Sequence, residues 1–192
     1  MTFRFALASA AALALAACGS GNDAADTAAT DDTLAADDTA LTAPDPTTPQ
    51  GFIDLAASSN AYEIEAGRLA QERGTRQEVK DFAAKMVEDH TAASEKLSAA
   101  VVAGGASLAV PPQMLPQHQQ QLDALRNAGD QFDQTYLQQQ VAAHEEALAL
   151  LQGQAGTGTV ESLKAFAAEA APVVEGHLEE VRALAGTAGG GA

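Results

Sequence analysis

The sequence predicts an all-α fold: a four-helix bundle made of two helical hairpins joined by a long connection. Three observations carry this expectation. The composition contains no Trp and only 4% aromatic residues, with the apolar content dominated by Ala, Leu and Val, which suits helices and disfavours a β-sandwich. Four long segments between residues 52 and 184 repeat apolar residues at steps of three and four, the period of a helix with one buried face. Strand-like alternation is absent throughout. At 192 residues the chain has room for one such domain with appendages.

The first appendage is residues 1–17. Arg4 precedes an apolar run from Phe5 to Ala17, too short to span a bilayer but suited to the core of an export signal. The run ends in Leu15-Ala16-Ala17-Cys18. Small residues before a cysteine resemble a bacterial lipobox, in which the cysteine is acylated and becomes the new N-terminus. Cys18 is the single cysteine of the chain and stands where that motif needs it. Several acyl chains, at about 0.8 kcal/mol per buried CH₂, anchor a protein stably. The expected location is the cell envelope, with the domain in the periplasm. Gly19, in place of an Asp, favours the outer membrane by similarity to enterobacterial sorting.

Residues 18–51 read as the lipidated Cys18 and an acidic, disordered linker. Positions 19–51 hold seven Asp and no Lys or Arg. Low hydrophobicity with one-signed charge cannot offset the entropy of ordering. The whole chain carries a net charge of −16. That excludes sequence-independent nucleic-acid binding, which needs a basic footprint, and docking on an anionic membrane through surface charge. The membrane is a partner only through the lipid. A protein partner and the oligomeric state stay open.

The bundle domain is expected over residues 52–186. Its first helix covers 52–73, with Thr48 as N-cap, Pro49 at the first position and Gly74 as its end. Thr75 with Glu78 reads as a capping box for a second helix, which reaches Ala103 before Gly104-Gly105. Residues 104–129 form a proline-containing connection with a short helix near "QHQQQLDALRNAG". It is long enough to cross the bundle, as in ferritin-like folds, while an up-down-up-down order with an ornate loop is the competing topology. Asp130 caps a third long helix to about Gln152. "GQAGTGT" makes the turn, a fourth helix covers Val160–Leu184, and residues 187–192 fray. Pro172 lies inside the fourth helix, where it removes a hydrogen bond. It reads either as a tolerated kink or as the opening of a pocket beside His177.

Helical-wheel placement puts polar groups inside. Glu63 falls on the apolar centre of the first helix. His90 lies between Met86 and Leu97 in the second. His144 is framed by Leu137, Val141, Leu148 and Leu151 in the third, with Asp133 and Gln140 also leaning inward. His177 takes one rung of the fourth helix's apolar series. A lone inward His is usually a satisfied core residue. Three, with a centred carboxylate, raise the prospect of a metal site between facing helices.

Residues 52–97, with their E-I-E, E-V-K-x-F-A and M-V-x-D-H motifs, together with "DQTYLQQQVAAHEEAL" and "APVVEGHLEEVRAL", resemble the bacterial domain of unknown function 4142. The resemblance implies a ferritin-like four-helix fold in exported proteins. It implies no established activity, and it matches Glu63 and the three histidines to the polar positions of its helices. The expected role is binding or structural in the cell envelope, with a metal-binding or redox protein as the alternative. Whether the chain is an enzyme stays open. Nothing supports a hydrolase or nucleotide enzyme, since no phosphate loop, serine elbow or cysteine nucleophile is present.

A di-iron centre needs Glu-x-x-His pairs, and Val87, Val141 and Val174 stand where the carboxylates belong. The cofactor therefore stays open, with a single Fe, Zn or Mn ion on Glu63, His90, His144 and His177 as the candidate. Axial counting at 1.5 Å per residue sharpens the expectation. From a turn at Gly74, Glu63 and His90 differ by about 4–6 Å. From a turn at Gly156, His144 and His177 differ by roughly 12–15 Å. The expected arrangement is thus two pairs: Glu63 with His90, and Asp133 or Tyr136 with His177. His90 reads as a hydrogen-bonded element that fixes helix register, with metal ligation as the alternative.

Overall fold

The computed structural model describes residues 43–105 and 107–188. The expected signal segment 1–17, Cys18, the linker up to residue 42 and the tail 189–192 lie outside the described residues. The described part contains α1 (Pro49–Arg73), α2 (Gln77–Gly104), α3 (Pro116–Arg126), a short 3₁₀ turn (Gly129–Gln131), α4 (Phe132–Thr157) and α5 (Glu161–Ala188). Among the described residues there is no strand. No helix among them is long and apolar enough to cross a membrane.

Local chemistry sets most of the ends. Thr48 accepts a hydrogen bond from the Gly51 amide, and Pro49 occupies the first turn of α1, where its missing N–H costs nothing. The helix therefore starts before the expected domain boundary at residue 52. Two expected caps are different. Thr75 does not form a capping box: α2 starts after Arg76 with no side-chain cap of its own. Instead Asp133 reaches across from α4. It accepts from the Thr75 amide, the Thr75 hydroxyl and the Arg76 amide at 2.6–3.1 Å. Those bonds hold the Asp133 carboxyl below the usual carboxylate range, against its partial burial. Asp130 lies in the 3₁₀ turn and caps nothing; α4 begins at Phe132. Asp133→Ala is expected to lower stability by about 1–2 kcal/mol, as loss of a cap does, read as an earlier urea midpoint.

Two hairpins, α1–α2 and α4–α5, pack side by side, with α2 against α5 and α1 against α4. The connection between them runs the length of α1. Gln50 exchanges hydrogen bonds with the backbone of Ala109 at one end. Ser58 accepts from the Leu115 amide in the middle. Arg73 donates to the Arg126 carbonyl at the other end. The connection thus returns the chain to the Gly74 end before α4 starts, so every pair of neighbouring helices is antiparallel. This is the ferritin-like arrangement, and it excludes the up-down-up-down order. Gly67 permits the close approach of α1 to α2: a Cβ there would stand 2.8 Å from Val87 Cγ2 and 2.9 Å from the Ala83 carbonyl oxygen.

The interior divides into two apolar clusters. One, at the Gly74 end, contains Tyr62, Phe82, Met86, Leu125, Tyr136, Leu137 and Val181. The other, at the far end, contains Phe52, Ile53, Leu97, Leu151, Leu163, Phe166 and Val174. Near their junction lie buried polar residues: Asn60, Glu63, His90, Gln140, His144 and His177. Burying such groups is unfavourable unless they are paired or bound, so their partners decide what the layer is for.

Candidate metal centre

His90, His144 and His177 arrive from α2, α4 and α5 and meet in the core. Their ring centroids are 5.5–5.7 Å apart. One nitrogen from each ring lies within 4.8 Å of the others. All three side chains are at most 5% exposed.

Each ring is held by one nitrogen and unpartnered at the other. His90 Nδ1 donates to Asn60 Oδ1 at 2.9 Å. His144 Nδ1 donates to the Gln140 carbonyl at 2.8 Å. His177 Nε2 donates to Asp89 Oδ2 at 2.8 Å. All three partners are oxygens that accept here, so each bonded nitrogen carries the proton and each remaining nitrogen carries a lone pair. The remaining nitrogens are His90 Nε2, His144 Nε2 and His177 Nδ1, and all three are buried without a hydrogen-bond partner. Burial pushes His144 down to about 4 and the other two below their ordinary values. The neighbouring imidazoles push His90 lower still, while the Asp89 hydrogen bond opposes the shift at His177. Three neutral imidazoles, each with one lone-pair nitrogen free of any hydrogen bond, therefore meet in the core.

The expected two-pair arrangement is not what forms. Glu63 does not pair with His90. The first hairpin places Asn60 of α1 level with His90 of α2, each 15 residues from Thr75, and leaves Glu63 about one turn nearer the connection between the two helices. Glu63 Oε2 accepts from Gln140 Nε2 at 2.6 Å, and Oε1 lies 3.9 Å from His144 Nδ1, the ring nitrogen already bonded to the Gln140 carbonyl. Burial pushes the Glu63 carboxyl up to about 8. A neutral acid beside a neutral imidazole is not an ion pair. Asp133 and Tyr136 do not reach His177 either. Asp133 caps α2, and Tyr136 packs against Phe82 and Phe132.

His144 and His177, expected too far apart to share an ion, are neighbours because the second hairpin turns later than Gly156. α4 continues to Thr157, Gly158 closes it by donating to the Gln154 carbonyl, and α5 starts at Glu161. Counted from Thr159, the two histidines lie 15 and 18 residues away, a level difference of about 4–5 Å. The fourth histidine, His118 on α3, is a separate element. Its Nδ1 is 2.6 Å from Ser58 Oγ and its ring stacks on Tyr62, which pins the connection to α1.

Asn60 and Asp89 were not singled out by wheel placement, because neither sits at the centre of an apolar stripe. The signal available for Asp89 was its place directly before His90 in the M-V-x-D-H motif. Adjacent helical residues differ by 100°, so Asp89 leans towards α5, where His177 stands.

The fold has a counterpart among solved structures. The crystal structure of a DUF305 fragment from Deinococcus radiodurans superposes with a TM-score of 0.62 at 14% identity, covering 74% of this chain and 99% of that one; this is a likeness of fold. No curated protein matches the chain. The family model described as "Domain of unknown function (DUF4142)" matches residues 24–184, most of the chain and all of the histidine layer, and the chain belongs to that family.

Proposed function

We propose that this chain is a mononuclear metal-binding protein, carried on a bacterial membrane by a lipid at Cys18 and holding its ion between α2, α4 and α5. The observation that carries the reading is the convergence of three buried histidines, each with one ring nitrogen unpartnered and one ring nitrogen within 4.8 Å of the others. Without an ion this arrangement leaves three desolvated acceptors facing one another, which is costly. An ion turns the same nitrogens into ligands. Three nitrogens around a tetrahedral ion stand about 3.3 Å apart, given metal–nitrogen distances of about 2.0–2.1 Å, so a modest inward closure completes the set. Asn60, the Gln140 carbonyl and Asp89 would fix ring orientation and tautomer from behind, as outer partners do in histidine metal sites.

The donor set selects the ion class. Three imidazoles with no thiolate and no carboxylate at the centre suit Zn²⁺, with Cu²⁺ and Fe²⁺ as competitors, and suit Mn²⁺ poorly. Glu63 stands behind His144 and supports the ligands through Gln140 rather than joining them. When bound, the ion would supply Lewis acidity at its free position. The full chain, stripped with chelator and reloaded, is expected to hold one Zn²⁺ per molecule by elemental analysis. No ion above trace after reloading with Zn²⁺, Cu²⁺, Fe²⁺ and Mn²⁺ would refute the proposal.

The envelope location rests on Leu15-Ala16-Ala17-Cys18 in an otherwise cysteine-free chain. Wild type is expected to partition into the detergent phase and Cys18→Ser into the aqueous phase. Wild type found in the aqueous phase removes the anchor.

A further inference from the structure

A cavity of about 150 Å³ ends on the histidine layer, between α2 and α5. Asn60, His90 and His177 form part of its wall, and His144 does not. It extends away from Glu63, towards the far apolar cluster, past Ala93, Leu151, Phe166 and Val174. Three protein ligands leave a tetrahedral ion one free position. On the opposite side, Glu63 and Gln140 are packed behind His144 and Phe82 lies beside its ring. The free position therefore has room on the cavity side.

Resting on the metal reading above, we infer that this cavity binds a small neutral molecule, about the size of a five- or six-membered ring, through one nitrogen or oxygen donor placed on the ion. Size follows from the volume: an apolar cavity of about 150 Å³ takes a molecule such as benzene. The apolar body follows from the wall, which is mostly Ala, Val, Leu and Phe. Neutrality follows from charge. The charged residues at the cavity are Asp89, Glu169 and Lys96. Asp89 is committed to His177, and Lys96 is paired with Glu169 across the α2–α5 groove. No uncommitted cationic side chain stands in this wall. The ion's own charge would attract an anion, but the apolar wall leaves such an anion desolvated, and a net charge of −16 repels it from the protein as a whole. A cationic ligand would instead face the ion itself.

The test uses the full chain loaded with Co²⁺, whose visible absorption reports the ligands and geometry around the ion. The probes, used at alkaline pH where the first is the free base, are 4-methylimidazole, then neutral and ring-sized, and azide, a small anion. The expected result is a spectral change that saturates with 4-methylimidazole at a Kd at least tenfold below that for azide. Ala93→Phe, which fills the cavity, is expected to keep one Co²⁺ per chain and weaken 4-methylimidazole at least tenfold. Val173→Trp at the half-exposed rim tests the same point without burdening the core. The inference is overturned, with the metal reading intact, if the loaded wild type ignores 4-methylimidazole or prefers azide. It is equally overturned if both variants bind the probe as wild type does. Failure to take up Co²⁺ at all overturns both, and is recognised by the missing absorption before any probe is added.

Discussion

Saturating Zn²⁺ is expected to raise the melting temperature of the wild-type chain by roughly 8–16 °C and to leave that of His144→Ala unmoved. The increment follows from linkage. A ligand that binds only the folded state at a thousand times its Kd contributes about 4 kcal/mol, and a domain of this size gains about 2–4 °C per kcal/mol. The folded state alone brings the three nitrogens together, because they come from α2, α4 and α5. His144→Ala leaves two ligands, whose affinity is too low to contribute at the same Zn²⁺ concentration. The substitution also opens a hole beside Phe82, so the apo melting point falls too. The quantity to compare is therefore the difference between chelator and Zn²⁺ within each protein. Equal increments in wild type and His144→Ala would place the ion elsewhere, on the many surface carboxylates.

The helices, their inward faces and the hairpin pairing were legible because a buried stripe imposes a 3.6-residue period on the sequence. The long connection was legible as a segment able to cross the bundle, because it is too long for a tight turn, but the sequence left the up-down-up-down order open. The composition of the histidine layer was legible in part. The wheel places Glu63, His90, His144 and His177 inside, and all four are buried. Which of them meet was not legible, and the reason lies in one turn. "GQAGTGT" offers glycines at 153, 156 and 158. Propensity sets Gly about 1 kcal/mol below Ala in a helix, which makes the first two look like stops. Packing overrides that: Leu151 and Gln154 are buried, and the helix runs on to Thr157. Each residue by which a hairpin turn moves lengthens one arm and shortens the other. Moving it from Gly156 to Thr159 changes the relative level of His144 and His177 by about 9 Å, enough to turn separate residues into a cluster. The first hairpin shows the same sensitivity on a smaller scale, where one turn of helix decides between Glu63 and Asn60 as the partner of His90. Asp133 belongs to a different class of miss. Its role as a cap is supplied across the bundle rather than within its own helix, and no local pattern carries that information.

The apo protein is expected to be most stable near pH 6–7, and Glu63→Gln is expected to abolish the loss of stability on the alkaline side. Glu63 has a folded-state pKa of about 8 against an ordinary 4.5, raised by burial. Between those values the folded protein keeps a proton that the unfolded chain releases, so stability falls as pH rises. Above pH 6.5 this is the group that acts among the buried histidines and Glu63. From pH 6.5 to 8, at about 1.4 kcal/mol per pH unit, it costs about 2 kcal/mol. On the acid side the signs reverse. His144, held down to about 4 by burial, stays neutral while the unfolded chain takes a proton below pH 6.5. Stability is then lost as pH falls, and His90, His118 and His177, all shifted down by burial, act in the same direction. Four histidines outweigh the single carboxyl, so the acid limb is the steeper one. Gln at position 63 mimics the neutral acid and keeps an oxygen for the Gln140 amide, so it retains the packing without the titration. Urea denaturation of chelator-treated wild type and Glu63→Gln at pH 5.0, 6.5 and 8.0 reads this out. Parallel alkaline limbs in the two proteins would show that Glu63 is ionised throughout. It would then stand as a charged partner to His144, and the neutral acid–imidazole contact described above would be wrong.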